Sequence, residues 1–461
     1  MDKLLSPDDI VRSGLCIGCG SCVGRSGQDG IKMQFDIFGQ LKPSSSTGWY
    51  TQPSESFTRT CPFSPAAKNE DQLSVALFPQ GQHDTATGYF QSAYVGHVAE
   101  DNFREQGSSG GMVTWVATEL LRHGLIDGVA HVVAADDPQT KDRFFFYRIA
   151  RSEAEIREGA KSRYYPVELS EVIRMIQDVP GRYAVVGIPC FIKAIQLLRM
   201  EDPVLQERIR FTLGLFCGHM KSARFIESFA WQMNVPFKEI QEVEYRHKDP
   251  GRPANWYNAM LSLKNGQKVN KDWWHLTDGD WGAGFFMNNA CNFCDDVVAE
   301  TADISFGDAW VEPYSSDGKG TNVVVVRSPV ILQLISAAIG EERLQLKEVD
   351  GAFVAQTQAA GLRQRREGLA YRLCWNKRGI KPIKRVQPDS ITPENQRKWI
   401  YRMRYFISTW SHLVFNLARR IQQPRLYIAW GRLVGAIYHG LAYHKGKISE
   451  MSKRLREWKK A

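Results

Sequence analysis

Three features of the 461-residue sequence predict a mixed α/β (α+β) chain in three parts. The leading part, residues 1–76, holds a tight run of cysteines. The middle part, 89–360, alternates short unbroken apolar runs with helix-period patterns, as expected for buried strands joined by crossover helices. The last part, 361–461, repeats apolar residues at helical spacing among many cations.

A chain of this length can bury a large core. Its hydrophobic content, 43%, is ordinary for a globular protein. Charge is uneven: Lys381 to Ala461 carries 18 Lys and Arg against 4 Asp and Glu, a surplus of +14, which leaves the first 380 residues at −5. The opening MDKLLSPDDIVRSG has two adjacent acids and no unbroken apolar core of a secretory signal, so a cytoplasmic location is expected. In that reducing setting nine cysteines point to bound metal or redox chemistry rather than to disulfides.

Cys16, Cys19 and Cys22 are each separated by two intervening residues, and Cys61-Pro62 follows after a polar, Gly- and Ser-rich stretch. Three thiols on one short loop can take three corners of a cubane, with a remote Cys-Pro as fourth ligand. Gly18 and Gly20 would let the backbone approach the sulfurs. The pattern is ferredoxin-type, opened by Gln28 to Thr60. Zinc is the alternative, but structural zinc sites more often show two separated Cys-x2-Cys pairs than a triple.

Beyond a linker around Leu77 to Gly88, Gly107-Ser-Ser-Gly-Gly111 opens a helical pattern with Val113, Val116, Ala117, Leu120 and Leu121 on one face. Such a start offers free amides and the positive end of a helix dipole to a phosphate, and serves equally as a plain turn and cap. Leu125 to Ala135 reads as a buried strand. Lys161-Ser-Arg-Tyr-Tyr-Pro166, before the helix Ser170 to Gln177, suits a phosphate beside a planar ring, or ordinary surface.

Tyr183 to Ile188 is a strand running into Pro189-Cys190 and a helix; Phe211 to Phe216 is a strand ending at Cys217-Gly218-His219. A right-handed βαβ crossover puts both strand ends on one sheet edge, so Cys190 and Cys217 become neighbours. Cys291 and Cys294, in NACNFCDDVVAETADISFGDAW, have two residues between them and complete a second four-thiol set. Only Cys374 is left over, read as a packed thiol. His219 is a ligand or a hydrogen-bonding neighbour of the ligands. Between Glu242 and Asp280, Trp256, Tyr257, Trp273 and Trp274 either wall a flat redox ring, faced by Arg246, His247 or Lys248, or are core.

With GSSGG-MVT, KSRYY, VVGIPC, LFC and CNFCDDVVAETADISFGDAW in order, the chain from about Leu15 to Gln356 resembles the beta-subunit family of coenzyme F420 hydrogenases and dehydrogenases, which also takes in plant 7-hydroxymethyl chlorophyll a reductase. The resemblance implies an iron-sulfur flavoprotein oxidoreductase carrying 4Fe-4S clusters, two by the cysteine count, and FAD rather than FMN. It implies an α/β flavin-binding domain whose flavin site is Ser108, Ser109, Gly110, Gly111 and Thr114, with Lys161, Arg163 and Tyr164 near flavin or substrate. Electrons would pass from a reduced carrier, ferredoxin or a deazaflavin, to an organic small-molecule acceptor. The other reading is a non-catalytic electron-transfer subunit of a larger redox complex. No catalytic residue is assigned. Hydrogenase or formate dehydrogenase chemistry would need a further polypeptide, because no nickel or molybdenum site is legible.

The tail departs from that family pattern beyond about Gly361. Phe406, Trp410, Leu413, Val414, Leu417 and Ile421 form one helical stripe; Leu426, Trp430, Leu433, Val434, Ile437 and Leu441 form another. Arg419, Arg420, Arg425 and Arg432 argue against a spanning segment. The helices are expected to lie on an anionic membrane surface at the inner face, or to pack as a hairpin on the protein or a partner subunit. Nucleic-acid binding is not expected, since it gives the apolar stripes no role.

Overall fold

The computed structural model describes residues 3–375 and 379–443. An eight-stranded mixed sheet forms its centre, built from β1 (Ser92–Val98), β2 (Gly128–Ala134), β3 (Phe145–Ala150), β4 (Tyr183–Gly187), β5 (Ile209–Leu215), β6 (Ile304–Asp308), β7 (Asn322–Val326) and β8 (Leu344–Val349). They lie in the order β8-β1-β7-β6-β5-β4-β2-β3. The inner strands β2, β4, β5 and β6 run parallel, and the outer ones pair antiparallel. Every residue of β4, YAVVG, and of β7, NVVVV, is buried, which is why these strands read as unbroken apolar runs.

The helix Pro189–Glu201 joins the adjacent parallel strands β4 and β5. Cys190 sits in its first turn and Cys217 lies just past β5, so both fall at the same sheet edge. The leading segment is no separate bead. Leu15, Ile17 and Cys19 share one core cluster with Ile173 and Phe191 of the α/β part and with Leu369 and Leu373 of the tail. The expected boundary at 361 falls inside the helix Ala359–Arg365.

The tail helices Asn395–Arg420 and Pro424–Tyr443 form a hairpin whose far ends meet, Gln396 donating to the Leu441 carbonyl at 3.0 Å. Its inward residues are Ile400, Ile407, Phe415, Ala418, Tyr427, Val434 and Tyr438, packed with Phe225, Phe285 and Phe286. Of the stripe read from the sequence, Phe406, Trp410, Leu413, Leu417 and Ile421 face outward. Polar ties hold the inner face, with Tyr427 bonded to Asp278 at 3.0 Å and Arg419 paired with Glu227 at 2.9 Å. Among the described residues no helix is long and apolar enough to cross a membrane. The basic residues from 444 onward lie outside the described residues.

Candidate redox centre

Cys16 and Cys19 sit on the loop after the helix Pro7–Arg12, Cys22 in the first turn of the helix Ser21–Ser26, and Cys61 at the end of the helix Glu55–Thr60. All four line one cavity, walled by Ile10, Ile17, Met33, Phe57 and Phe63. Gly18 and Gly20 adopt left-handed backbone, φ 81° and 77°. Their glycine requirement comes from the protein itself: a Cβ on Gly18 would lie 2.5 Å from the Leu41 carbonyl oxygen, and one on Gly20 would run into the Glu168 carboxylate. Burial pushes the Cys19 thiol up to about 11 and that of Cys22 well above its ordinary value. Such thiols stay protonated unless a cationic group draws the proton off, as a bound metal does.

The second set assembles from three places. Cys190 and Cys217 come from the sheet edge, while Cys291 and Cys294 flank the end of the short turn Asn289–Phe293. Cys190 lies within electrostatic reach of Cys217, Cys291 and Cys294, and also of Cys19 in the first set. Burial raises all four thiols, Cys291 to about 11. The Met220 amide donates to Cys291 Sγ at 3.3 Å. Among the described residues no three His, Cys, Asp or Glu side chains converge on a position for a single metal ion.

Arg365, absent from the sequence reading, is the organising cation. It is 3% exposed, and its guanidinium donates to the carbonyls of Cys291 and Cys294 at 3.3 Å each, of Cys217 at 3.2 Å and of Gly218 at 2.5 Å. It therefore holds together the backbones that carry three of the four thiols, and the thiols in turn favour its charged form. The acids after Cys294 belong to a buried network. Asp295 pairs with Lys384 at 3.2 Å, and Arg385 bonds Glu300 at 2.6 Å. Asp296 caps the Val298 amide at 2.9 Å and is pushed up to about 7 by burial and by Glu300. Cys374 belongs to neither set and bonds the Ala370 carbonyl and Asp389.

The flavin candidates are brought together, though less openly than expected. The Ser162 amide donates to Ser108 Oγ at 2.9 Å, joining the GSSGG and KSRYY loops. The helix start is partly taken: Asn322 Oδ1 accepts the Met112 amide at 3.1 Å, and Ser109 Oγ donates to the Thr321 carbonyl at 3.0 Å. A Cβ on Gly110 would meet the Gly96 carbonyl at 2.8 Å, and one on Gly111 the Phe103 carbonyl at 2.6 Å, so packing against the protein's own backbone already explains both glycines. The amides of Val113 and Thr114, in the first turn, have no acceptor within the helix. Lys161 reaches Glu244 at 3.7 Å, while Arg163 lies over the Phe145 ring with its buried Nε unpartnered.

Tyr164 leads toward the cysteines. Its ring lies 4.7 Å from that of Trp281, which stacks on His219 at 4.1 Å, two residues from Cys217. His219 is buried, with Nδ1 3.5 Å from Arg404 and Nε2 unpartnered. Of the aromatic segment, Trp273 is core, with its indole N–H donating to the Tyr245 carbonyl, whereas Trp256 and Trp274 are exposed. Arg246 pairs with Asp308 at 2.8 Å under Tyr257, and His247 is exposed. Lys248 Nζ donates to the Ser109 carbonyl at 2.9 Å, buttressing the GSSGG loop.

No curated protein sequence matches the chain. A solved structure of the F420-reducing [NiFe] hydrogenase complex from Methanosarcina barkeri is similar over 65% of this chain and 98% of the matched chain, with TM-score 0.49 and 17% identity. A likeness of that size transfers no residue roles. Two family signatures of the coenzyme F420 hydrogenase/dehydrogenase beta subunit match in sequence, the one for its N-terminal part over residues 93–174 and the one for its C-terminal part over 181–352. Together they span more than half the chain, from β1 to β8 and across Cys190, Cys217, Cys291 and Cys294, and on them the chain belongs to the coenzyme F420 hydrogenase/dehydrogenase beta-subunit family, a family of oxidoreductase complexes.

Proposed function

We propose that the chain is an iron-sulfur flavoprotein oxidoreductase, passing electrons from a reduced carrier, ferredoxin or a deazaflavin, through two 4Fe-4S clusters and FAD to an organic small-molecule acceptor. One observation carries this reading: Cys190 of the second thiol set lies within electrostatic reach of Cys19 of the first, and His219, near Cys217 in sequence, stacks on Trp281, which meets the ring of Tyr164 on the loop that Ser162 joins to Ser108. When bound, iron-sulfur clusters move single electrons and a flavin exchanges one or two, which is what an organic hydride acceptor needs.

The chain's own residues fit these groups. Cys16, Cys19, Cys22 and Cys61 would hold one cluster, and Cys190, Cys217, Cys291 and Cys294 the other. Arg365 places a buried positive charge beside the second set, favouring its anionic form. Arg163, with a buried N–H unpaired, and Lys161 supply positive charge for a cofactor phosphate. The free amides of Val113 and Thr114 add to it. Tyr164 and Trp281, in ring contact, would lie between the sites. Partner subunits suit a family named for the beta subunits of larger complexes, and the proposed location is cytoplasmic.

The test is anaerobic purification followed by iron, zinc and flavin analysis, then turnover of artificial acceptors by the isolated chain. Iron with released FAD and acceptor reduction supports the enzyme. Iron without flavin binding, even after reconstitution with FAD or FMN, leaves an electron-transfer subunit.

A further inference from the structure

The outward side of the tail hairpin has no covering element. Trp410, Leu413, Leu417 and Ile421 on the first helix, with Leu426 and Leu433 on the second, are 40% to 61% exposed although all are large and apolar. Their spacing places them along the helices at 3.6-residue intervals, opposite the face that packs on Phe285 and Phe286. The two helices are apolar on two sides, and the core uses only one.

The charge on the same hairpin is of one sign. Neither helix contains an Asp or Glu, while eight Lys and Arg lie within them. Arg420, Arg425 and Arg432 are exposed and have no ion-pair, hydrogen-bond or ring partner among the described residues. Arg420 and Arg425 bracket Ile421 at the hairpin turn, and Arg432 adjoins Leu433.

We infer that this face docks on an anionic lipid bilayer, with the apolar stripe entering the headgroup boundary and the arginines meeting lipid phosphates. An amphipathic pair lying in the interface needs this combination: an aromatic and aliphatic stripe, flanking cations, and no helix able to span. Nucleic acid would leave the stripe wet. An acidic partner subunit is the competing occupant; it could pair the arginines and the exposed Thr409, Gln422 and Gln423 beside the stripe, and vesicle binding separates it from a bilayer.

The experiment uses the full chain with vesicles of phosphatidylcholine alone and of an equal mixture with phosphatidylglycerol. The protein co-sediments with the mixed vesicles only, loses binding at high salt, and shows a blue shift of tryptophan emission that Trp410→Ala reduces. Neutralising Arg420, Arg425 and Arg432 to Gln lowers partitioning by about a hundredfold, each contact near a bilayer being worth roughly fivefold. Leu413→Ser with Leu417→Ser, both at the surface and therefore compatible with folding, lowers it independently. Equal binding to both vesicle types, binding to neither, or wild-type partitioning of the Gln variant overturns the inference. So does a stoichiometric acidic subunit that protects the stripe while vesicles fail to bind.

Discussion

Replacing Arg365 by Met keeps much of the side-chain volume and removes every donor and the charge. Four carbonyls, those of Cys217, Gly218, Cys291 and Cys294, then lose a buried partner. Each unsatisfied acceptor costs roughly 1–3 kcal/mol. Local relaxation and shared acceptors bring the total to about 3–5 kcal/mol, the range for breaking a buried charged contact. Loss of the cation also disfavours adding an electron to the anionic second set, so its reduction potential falls. The assays are thermal melting, iron content and a redox titration followed by EPR. Arg365→Met is expected to melt lower, to retain less iron at the second set and to shift its signal to lower potential, with the first set unchanged. Arg365→Lys, which keeps the charge with fewer donors, should fall between. Wild-type melting, iron content and potential in Arg365→Met would refute the role given to this side chain.

Cys291→Ser should lower bound iron from about eight to about four per chain, leaving the Cys16 set loaded, as measured by metal analysis. Truncation before Pro393 should give insoluble protein, because it strips Ile407, Phe415 and Tyr427 from the core around Phe286, with a fully buried aromatic worth about 2–3 kcal/mol; a soluble, cooperatively melting product would contradict this. His412 is buried, and burial lowers its pKa to about 4 against 6.5 unfolded. The unfolded chain therefore binds more protons between these values, and stability present above pH 6.5 is lost as pH falls toward 4, by on the order of 1–3 kcal/mol. Melts across that window should show a shallower fall in His412→Gln than in wild type. Trp281→Ala should slow flavin reduction by the clusters without changing iron content, read by stopped-flow absorbance.

The cysteine geometry was legible because its signals are local. Two-residue spacings, and a strand-helix-strand unit that brings Cys190 and Cys217 to one edge, need no distant information. The unbroken apolar β4 was legible for the same reason. The tail was half legible. Periodicity reveals an apolar stripe, but the helix Asn395–Arg420 has two, and choosing between Phe406–Trp410–Leu417 and Ile407–Phe415–Ala418 needs the Phe285–Phe286 surface it meets. Arg365 was invisible: its partners are backbone carbonyls between 71 and 148 residues away, and a carbonyl has no signature in sequence. The GSSGG turn misled in one respect, since its glycines are already required by Gly96, Asn322 and Phe103. Substituting them reports on backbone packing before it reports on a cofactor.

Two adjacent thiol sets are proposed to hold two 4Fe-4S clusters. Metal analysis of anaerobically purified protein, combined with EPR after dithionite reduction, tests it most directly. The account predicts about eight irons per chain and two reduced-cluster signals broadened by mutual interaction, because Cys19 and Cys190 bring the sets together. Stoichiometric zinc without iron, or a single signal that survives loss of either cysteine set, would contradict it.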